Sequence, residues 1–320
     1  MNPVLFKLSG KTDVGRVRAN NEDNFIVNPD LSKNQWELPA GQEEFSTLGK
    51  KGALLVVADG MGGLDAGEIA SRIAVDTLKD CFTPDKIGSR VVNSLPSIRQ
   101  FMRNAIITAD DNIKRASSIE NGIKSMGTTI VAAWLLNGNI YVSWCGDSRL
   151  YLFDPLSGLS QLTTDHSYVQ DLIDAGRLSP ELAFDHPYSN IITRSLGNPD
   201  EPADPGFISA RLKDGMSLLL CTDGLNSMLR DSEIGGIMQD YPEPLGACTD
   251  ALIRKALDNG GHDNVTVILC SVRMDQEEPQ RGGFDTICEF GRKGYFSRRT
   301  VWLLASVIAL LALVTLLLLL

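Results

Sequence analysis

The sequence predicts a mixed α and β domain followed by a hydrophobic C-terminal span. Three observations support the prediction of the mixed domain. Short apolar runs such as 53–58 are bounded by polar or turn residues, which is typical of buried strands. Asn137 and Gly138 separate two further apolar segments, and this dipeptide favours a tight β-hairpin turn. The segment 98–116 repeats apolar residues at helical spacing. Strands in hairpins together with amphipathic helices indicate an α+β domain whose helices pack on sheets.

The predicted elements lie within residues 1–274, which we interpret as one domain. The polar segment 28–51 is rich in turn residues and predicts a long loop between two strands. The predicted strands are 53–58, 128–136, 139–145, 149–153, 217–221 and 264–272. The predicted helices are about 67–81, 98–116 and 245–258. In 160–205, helical pieces are interrupted by Gly176, Pro180, Pro187 and Pro199, which predicts an irregular helical excursion.

Residues 301–320 form an uncharged, apolar run of twenty residues. A helix with a rise of about 1.5 Å per residue would span roughly 30 Å, the thickness of a bilayer's hydrocarbon core. A buried core helix is the alternative, but core helices rarely stay apolar on every side for this length. Four Lys and Arg residues between 292 and 299 favour a cytoplasmic N-terminal side. We therefore predict a juxtamembrane tether at 275–299 and a single-pass anchor at 300–320. The anchor would sit in the inner (cytoplasmic) membrane, contact lipid through 301–320 and leave the catalytic domain in the cytoplasm. Self-association through this span is an alternative role.

The charge distribution excludes one class of partner. The chain carries 30 Lys+Arg and 40 Asp+Glu, for a net charge of −10. Every acid lies at or before Glu289, so residues 1–289 hold all 40 acids but only 26 bases, a net charge of −14. This balance argues against binding nucleic acid through its phosphates. The six cysteines form no CxxC pair, which argues against a zinc ribbon and indicates reduced thiols.

Four aspartates lie at the ends of apolar runs. Asp59, Asp147 and Asp223 follow predicted strands, and Asp263 precedes one. A single Asp-Gly pair is ordinary turn chemistry, but four acids at strand ends suggest a site. If these ends converge, the carboxylates repel one another unless cations neutralise them. Oxygen ligands suit Mg²⁺ or Mn²⁺, and the Gly60 carbonyl could be a further ligand. Two such ions can activate a water molecule and orient a phosphoryl group.

The segment 17–24, VRANNEDN, adds further candidates near the N-terminus. The Arg18 guanidinium could hold a phosphate group through two parallel hydrogen bonds. Glu22 and Asp23 contribute two more acids. A solvated run of charges is the alternative interpretation of this segment alone.

Six segments resemble, in order, the motifs of the protein phosphatase 2C family in its bacterial form. They are TDVGRVRANNEDNF (12–25), VVADGMGGLDAGEIAS (56–71), MGTT (126–129), GDSRLY (146–151), CTDGL (221–225) and GHDNVTV (261–267). The resemblance implies an α+β fold, a four-layer αββα sandwich with the metal site in a cleft between the sheets. It also implies metal-dependent hydrolysis of phosphoserine and phosphothreonine in proteins.

The resemblance also implies roles for individual residues. Asp59 would bridge two metal ions and Gly60 would bind through its carbonyl, with Asp223 and Asp263 completing the shell of the second ion. Asp147, together with Asp223, would serve a third metal. The expected cofactors are therefore two or three Mn²⁺ or Mg²⁺ ions.

Three further roles come from the N-terminal motif. Arg18 would clamp the substrate phosphate, and Glu22 and Asp23 would lie in or just behind the metal shell. Catalysis would then be attack of metal-activated water on phosphorus without a phosphoenzyme.

One position departs from the animal relatives, which carry a histidine where this chain has Met61. Protonation of the leaving group must then come from elsewhere. His166 and His186 lie in 160–205, a region that resembles the family's mobile flap. For His166 we favour a packing or surface role over catalysis.

Two other functions stay open at this level. One is a pseudoenzyme that binds phosphoproteins or scaffolds a membrane complex, although none of the family's metal acids is missing. The other is a hydrolase of small phosphoesters or of nucleic acid, the latter disfavoured by charge. The expected partners of a phosphatase are proteins phosphorylated on Ser or Thr. We hypothesise that these include a membrane Ser/Thr kinase and its substrates, because an anchor raises the local concentration of the enzyme there.

Overall fold

The structure is a computed structural model that describes residues 3–33, 35–36, 44–62, 66–119 and 126–274. These ranges belong to one compact unit, Met1–Pro279. No helix within the described ranges is long and apolar enough to cross a membrane. The predicted tether and anchor, 275–320, lie outside the described residues, and the domain boundaries stay predictions.

Strands and helices are interleaved along the chain. The strands are β1 (Val4–Asp13), β2 (Asn24–Asn28), β3 (Ser46–Thr47), β4 (Ala53–Ala58), β5 (Gly60–Gly62), β6 (Met126–Thr128), β7 (Ile130–Leu136), β8 (Asn139–Cys145), β9 (Arg149–Asp154), β10 (Gly158–Gln161), β11 (Gly206–Arg211), β12 (Ser217–Cys221) and β13 (Val265–Met274). The helices are α1 (Ala66–Cys81), α2 (Ser89–Val92), α3 (Leu95–Ile119), α4 (Tyr168–Asp174), α5 (Pro180–Ala183), α6 (Asp223–Asn226), α7 (Asp231–Asp240) and α8 (Leu245–Asp258).

Most strands form two sheets. The first has six strands in the order β10-β9-β12-β13-β1-β3, and the second has five in the order β11-β8-β7-β4-β2. The short strands β5 and β6 pair with each other beside the end of β4. In the six-stranded sheet β1 pairs with β13 over its whole length, from Val4 opposite Met274 to Asp13 opposite Val265. The two ends of the domain therefore meet inside one sheet.

Three separate apolar cores show that the layers are stacked α, β, β, α. Because successive side chains of a strand point to opposite faces, each central strand contributes to two cores. Leu54 and Val56 of β4 pack against α1 and α3, whereas Leu55 and Val57 pack between the sheets. In β12, Leu219 packs against α7 and α8, while its neighbours face the core between the sheets. The predicted α+β sandwich of four layers is confirmed.

Several predicted elements are confirmed and others differ. Strands 53–58, 139–145 and 217–221 and helix 245–258 have the predicted bounds. At the predicted hairpin turn, Asn137 and Gly138 have φ angles of +52° and +74°, and the flanking residues of β7 and β8 pair. These left-handed angles are those of a type I′ turn.

Three predicted segments differ in the structure. Segment 28–51 is not all loop, because Ser46–Thr47 forms β3 against the edge of β1. The strand predicted at 128–136 is interrupted at Thr129, which turns aside to bond the backbone of Asp59. The predicted helical excursion at 160–205 contains only two short helices, α4 and α5, and Pro180 begins the second.

Candidate metal centre and active site

The predicted acids lie at one end of the sandwich and come from both sheets. Asp59 follows β4 and Asp147 follows β8, two strands of the five-stranded sheet. Asp223 follows β12 and Asp263 precedes β13, two strands of the six-stranded sheet. Antiparallel pairing places the ends of β4 and β8 on either side of the start of β7. The ends of β4 and β8 therefore lie close together at one edge of the five-stranded sheet, which meets the condition stated from the sequence for these two strands.

The backbone of Asp59 is fixed by two threonines. The Asp59 amide donates to Thr129 Oγ1 at 3.2 Å, and the Asp59 carbonyl accepts from the Thr129 amide and from Thr128 Oγ1, each at 2.8 Å. The Thr129 hydroxyl also lies 2.7 Å from Ser148 Oγ. These bonds hold Asp59 at the junction between the five-stranded sheet and the β5–β6 ribbon.

Gly60 is enclosed by backbone atoms on two sides. A Cβ added at Gly60 would lie 2.2 Å from the Gly67 carbonyl oxygen and 2.5 Å from the Glu22 carbonyl oxygen. A Cβ added at Gly67 would in turn lie 2.8 Å from Glu22 Oε2. Only glycines permit this approach, and they bring the Glu22 carbonyl against Gly60 and the Glu22 carboxylate against Gly67.

Asp23 is the most deeply buried acid beside these residues, with 6% of its surface exposed. Its Oδ2 accepts hydrogen bonds from Thr266 Oγ1 at 2.6 Å and from Thr222 Oγ1 at 2.9 Å. Its Oδ1 is buried and has no hydrogen-bond partner. Burial raises the pKa of Asp23 to about 7, and the charges of Asp223 and Asp263 add to that rise while the two hydroxyls oppose it.

The other acids influence one another in the same way. Burial and then the negative charge of Asp263 raise the pKa of Asp223 to about 6, and a hydrogen bond to Asp59 opposes the rise. The pKa of Asp59 lies well above its usual range because of burial and the charges of Asp23, Asp223 and Asp147. Burial, followed by the charge of Asp223, also raises the pKa of Asp147 well above its usual range. Such mutual effects require the carboxylates to be close together.

The turn before Asp147 is held by His166. Gly146 has a φ of +113°, and an added Cβ there would lie 2.5 Å from Thr129 Cβ. The Gly146 amide donates to His166 Nδ1 at 3.2 Å, and the His166 ring stacks on Trp144 with centroids 5.9 Å apart. Burial, followed by the charge of Arg194, lowers the pKa of His166 to about 4. His166 is thus a neutral packing residue and hydrogen-bond acceptor, as favoured from the sequence.

Arg18 lies at the exposed edge of the site. Its Nη2 donates to Asp263 Oδ2 at 2.6 Å, and about half of its side chain is exposed. Asn264, which the sequence analysis did not single out, connects the loop between β1 and β2 to the start of β13 through three hydrogen bonds. Asn264 Nδ2 donates to the carbonyls of Val14 and Asn20 at 2.9 Å, and its Oδ1 accepts from the Glu22 amide at 2.8 Å.

Thr129, Thr222 and Thr266 were also missed as contributors. All three lie within or beside the quoted motifs, yet threonine in an apolar strand is ordinarily interpreted as a strand former.

The donor atoms of the site are of the kind that a divalent cation prefers. Among the described residues, no three His, Cys, Asp or Glu side chains already form a complete set of metal ligands. The side chains nevertheless fit a hard cation, because they offer only oxygen donors and repel one another without one. Asp23 Oδ1 and Asp223 Oδ1 are both buried without a hydrogen-bond partner, and buried carboxylate oxygens are costly to leave in that state. Backbone oxygens such as that of Gly60 would complete such a shell.

Comparison with known proteins decides the family. The family model for protein phosphatase 2C matches residues 42–259. The chain belongs to the protein phosphatase 2C family. It is 35% identical over 272 residues to protein phosphatase PhpP of Streptococcus pneumoniae, which covers 85% of this chain and all of that protein.

Two solved structures of protein phosphatase 2C relatives resemble the fold. The serine/threonine phosphatase of S. agalactiae has a TM-score of 0.70 at 32% identity, covering 84% of this chain and 100% of that one. The catalytic domain of the serine/threonine protein phosphatase PstP, in complex with two manganese ions, has a TM-score of 0.66 at 30% identity, covering 84% and 99%. The present chain is accordingly an enzyme of this family, a serine/threonine protein phosphatase.

Proposed function

We propose that the chain removes phosphate from phosphoserine and phosphothreonine in proteins by means of two or three Mn²⁺ or Mg²⁺ ions. Asp59, the Gly60 carbonyl, Asp223, Asp263 and Asp147 would hold the ions. The observation that supports this is the meeting of mutually repelling carboxylates from both sheets, two of which have buried oxygens without a partner. When bound, the ions would supply Lewis-acid activation of water and of the phosphoryl group.

Glu22 and Asp23 would support the metal ions from positions in or just behind the shell of ligands. The Thr222 and Thr266 hydroxyls bond Oδ2 of Asp23, so its other oxygen is directed elsewhere. The Glu22 carboxylate lies against the backbone at Gly67, next to Gly60. Fixed supporting groups of this kind commonly change metal affinity by tenfold or more when removed.

Arg18 would bind the phosphate of the substrate. Its exposed guanidinium is held beside the acids by Asp263 rather than buried in the core. A guanidinium can offer two parallel N–H donors to a phosphate dianion, and it stays charged at any relevant pH. His166 would not protonate the leaving group, because its Nδ1 already accepts the Gly146 amide and its low pKa keeps it neutral near pH 7.

The test is phosphate release from a phosphothreonine peptide by the full chain. We expect release with Mn²⁺, none with EDTA, and a loss of at least a hundredfold in Asp59→Asn. Asp111→Asn, an exposed acid on α3, is the charge-matched control and should retain full activity. Metal-independent release, or an Asp59→Asn variant as active as the control, would contradict the proposal.

The second part of the proposal concerns location. We propose that 300–320 anchors the enzyme in the inner membrane, with 275–299 as a tether and the catalytic domain in the cytoplasm. The support is the uncharged run 301–320 and the four preceding cations. The targets would then include a membrane Ser/Thr kinase and its substrates.

Cell fractionation tests the anchor. The full chain should sediment with membranes, and a variant lacking 300–320 should not. A replacement of 301–320 by an unrelated apolar span is the control and should restore membrane association. If the deletion leaves both the location and the phosphorylation of membrane proteins unchanged, this part of the proposal is wrong.

A further inference from the structure

A groove of about 610 Å³ lies between the start of α3 and the loop that leads into β11. Its walls include Pro96, Arg99, Arg103, Arg194, Asp204 and Phe207. Three arginines thus face one aspartate, in a domain (1–274) that carries 25 Lys+Arg and 35 Asp+Glu, for a net charge of −10. None of the three arginines is among the residues proposed to hold the metal ions or the substrate phosphate.

The single aspartate is shared by two of the arginines. Asp204 Oδ1 lies 3.1 Å from Arg103 Nη2, and Asp204 Oδ2 lies 2.8 Å from Arg194 Nη1. Arg99 makes no ion pair with any described carboxylate, and its Cζ lies 5.6 Å from the centre of the Phe207 ring. The three side chains therefore retain a net charge of about +2 after Asp204 is counted.

The start of α3 adds to this positive potential. The helix begins at Leu95, and its first turn contains no acidic residue. The unpaired backbone amides at a helix N-terminus carry a partial positive charge, which acids normally balance. Arg99 and Arg103 lie four residues apart on one face, in the second and third turns of the helix, and add positive charge next to this end.

The groove adjoins the active-site end of the domain. Gly206, which forms part of it, pairs with Trp144 of β8, and a Cβ added at Gly206 would lie 2.6 Å from Trp144 Cζ2. Adjacent strands are about 5 Å apart, and the three residues from Trp144 to Asp147 span at most about 10 Å. The groove is thus within roughly 15 Å of Asp147. An extended peptide covers that distance in about five residues.

We propose that this groove binds an acidic segment of the phosphoprotein substrate, with carboxylates or a second phosphate about five residues from the phosphorylated side chain. The inference rests on the proposed function and adds a substrate preference to it. An arginine groove suits a linear anionic segment, because guanidinium groups bind carboxylate and phosphate alike. The net charge of −10 on residues 1–274 would repel an anionic membrane surface but leaves this groove as a local exception.

The test compares three phosphothreonine peptides as substrates of the full chain. One is neutral, one has three aspartates centred five residues from the phosphothreonine, and one has the same three aspartates centred two residues away. The peptides are made with the cluster on either side. We expect the five-residue spacing on one side to lower KM about three- to tenfold, the effect of two exposed ion pairs, with kcat unchanged. The preference should shrink in 0.5 M NaCl.

Substitutions in the groove, with a matched control elsewhere, show whether the groove causes the preference for the acidic peptide. Arg99→Gln/Arg103→Gln should abolish the preference while leaving hydrolysis of the neutral peptide and of p-nitrophenyl phosphate unchanged. Arg115→Gln/Arg254→Gln removes the same charge from exposed sites elsewhere and should keep the preference. Because Arg103 is paired, Arg99→Gln alone serves as a second variant and should reduce the preference by about half on a logarithmic scale. A preference for the acidic peptide that survives Arg99→Gln/Arg103→Gln, or that does not depend on the spacing, would overturn the inference.

Binding without turnover separates this inference from the proposed function. Anisotropy of a labelled acidic peptide should show binding that Asp59→Asn retains and Arg99→Gln/Arg103→Gln loses. A chain that binds this peptide but hydrolyses no phosphopeptide would refute the function and leave the groove assigned. The full chain is also reconstituted in phosphatidylcholine or phosphatidylglycerol vesicles. Loss of the peptide preference only in the anionic vesicles would mean that lipid headgroups occupy the groove, and the inference would then be wrong.

Discussion

Without divalent cations, the domain should lose stability as the pH rises from 5 to 7. Burial raises the pKa of Asp23 to about 7 in the folded state, against a usual value of 3.8. Between these two values the folded state holds a proton that the unfolded chain has released, so the free energy of unfolding falls with increasing pH. One such group changes this free energy by about 1.4 kcal/mol per pH unit. Because Asp23 is half ionised in the folded state at pH 7, it alone should cost about 2 kcal/mol between pH 5 and 7.

Urea unfolding of the full chain in EDTA at pH 5, 6 and 7 measures this loss. Asp23→Asn cannot titrate, and its slope against pH should be smaller by about one proton. Saturating Mn²⁺ should reverse the trend, because the cation binds the ionised carboxylates and competes with protons. Stability in EDTA that is flat or rises over this range would refute the reasoning. So would an Asp23→Asn variant with an unchanged slope.

Two further predictions follow from the packing around the site. Gly224→Ala should lower the free energy of unfolding by about 3 kcal/mol, because its Cβ would lie 1.9 Å from the Asn264 carbonyl oxygen. Gly236→Ala on α7, where nothing lies within 4 Å of the added Cβ, is the control and should stabilise by about 0.5–1 kcal/mol. Both are measured by urea unfolding, and equal effects would contradict the packing argument. Thr266→Val should weaken Mn²⁺ binding about tenfold by calorimetry, because Asp23 loses its shorter hydrogen bond. Thr266→Ser keeps the hydroxyl and should bind nearly as the parent does; a serine variant as weak as the valine variant would show that the methyl group matters instead.

The fold was predictable where burial is continuous. Strands β4 and β12 are buried on both faces, so they appear in the sequence as nearly continuous apolar runs. Strand β1 was missed because its pattern is mixed. Val4, Phe6 and Leu8 face the core between the sheets, but one of the residues between them, Leu5, is apolar and the other, Lys7, is charged. Gly10 and Lys11, which follow, weaken the strand pattern further.

The acids of the site were predictable, but the groups that orient them were not. Asp59 and Asp223 stand out because each ends an apolar run at a glycine. Asp23 lies in a loop near the N-terminus and accepts hydrogen bonds from two distant hydroxyls. Thr222, at the end of β12, lies about 200 positions further along the chain, and Thr266 of β13 lies about 240 positions further along. No local pattern connects such distant residues, and only the pairing of β1 with β13 brings them together. The metal roles of the acids stay predictions until ions are bound and measured.

The pairing of β1 with β13 also has a consequence for synthesis. A chain emerging from the ribosome can form the five-stranded sheet early, since its last strand ends at Arg211. The neighbour that completes β1 is the final strand, Val265–Met274, so β1 must wait for nearly the whole domain. Contacts of such high sequence separation form slowly, and they leave strand edges exposed meanwhile. Nascent chains interrupted before residue 263 would lack both β13 and Asp263, so we expect that a truncated product does not act on phosphoproteins.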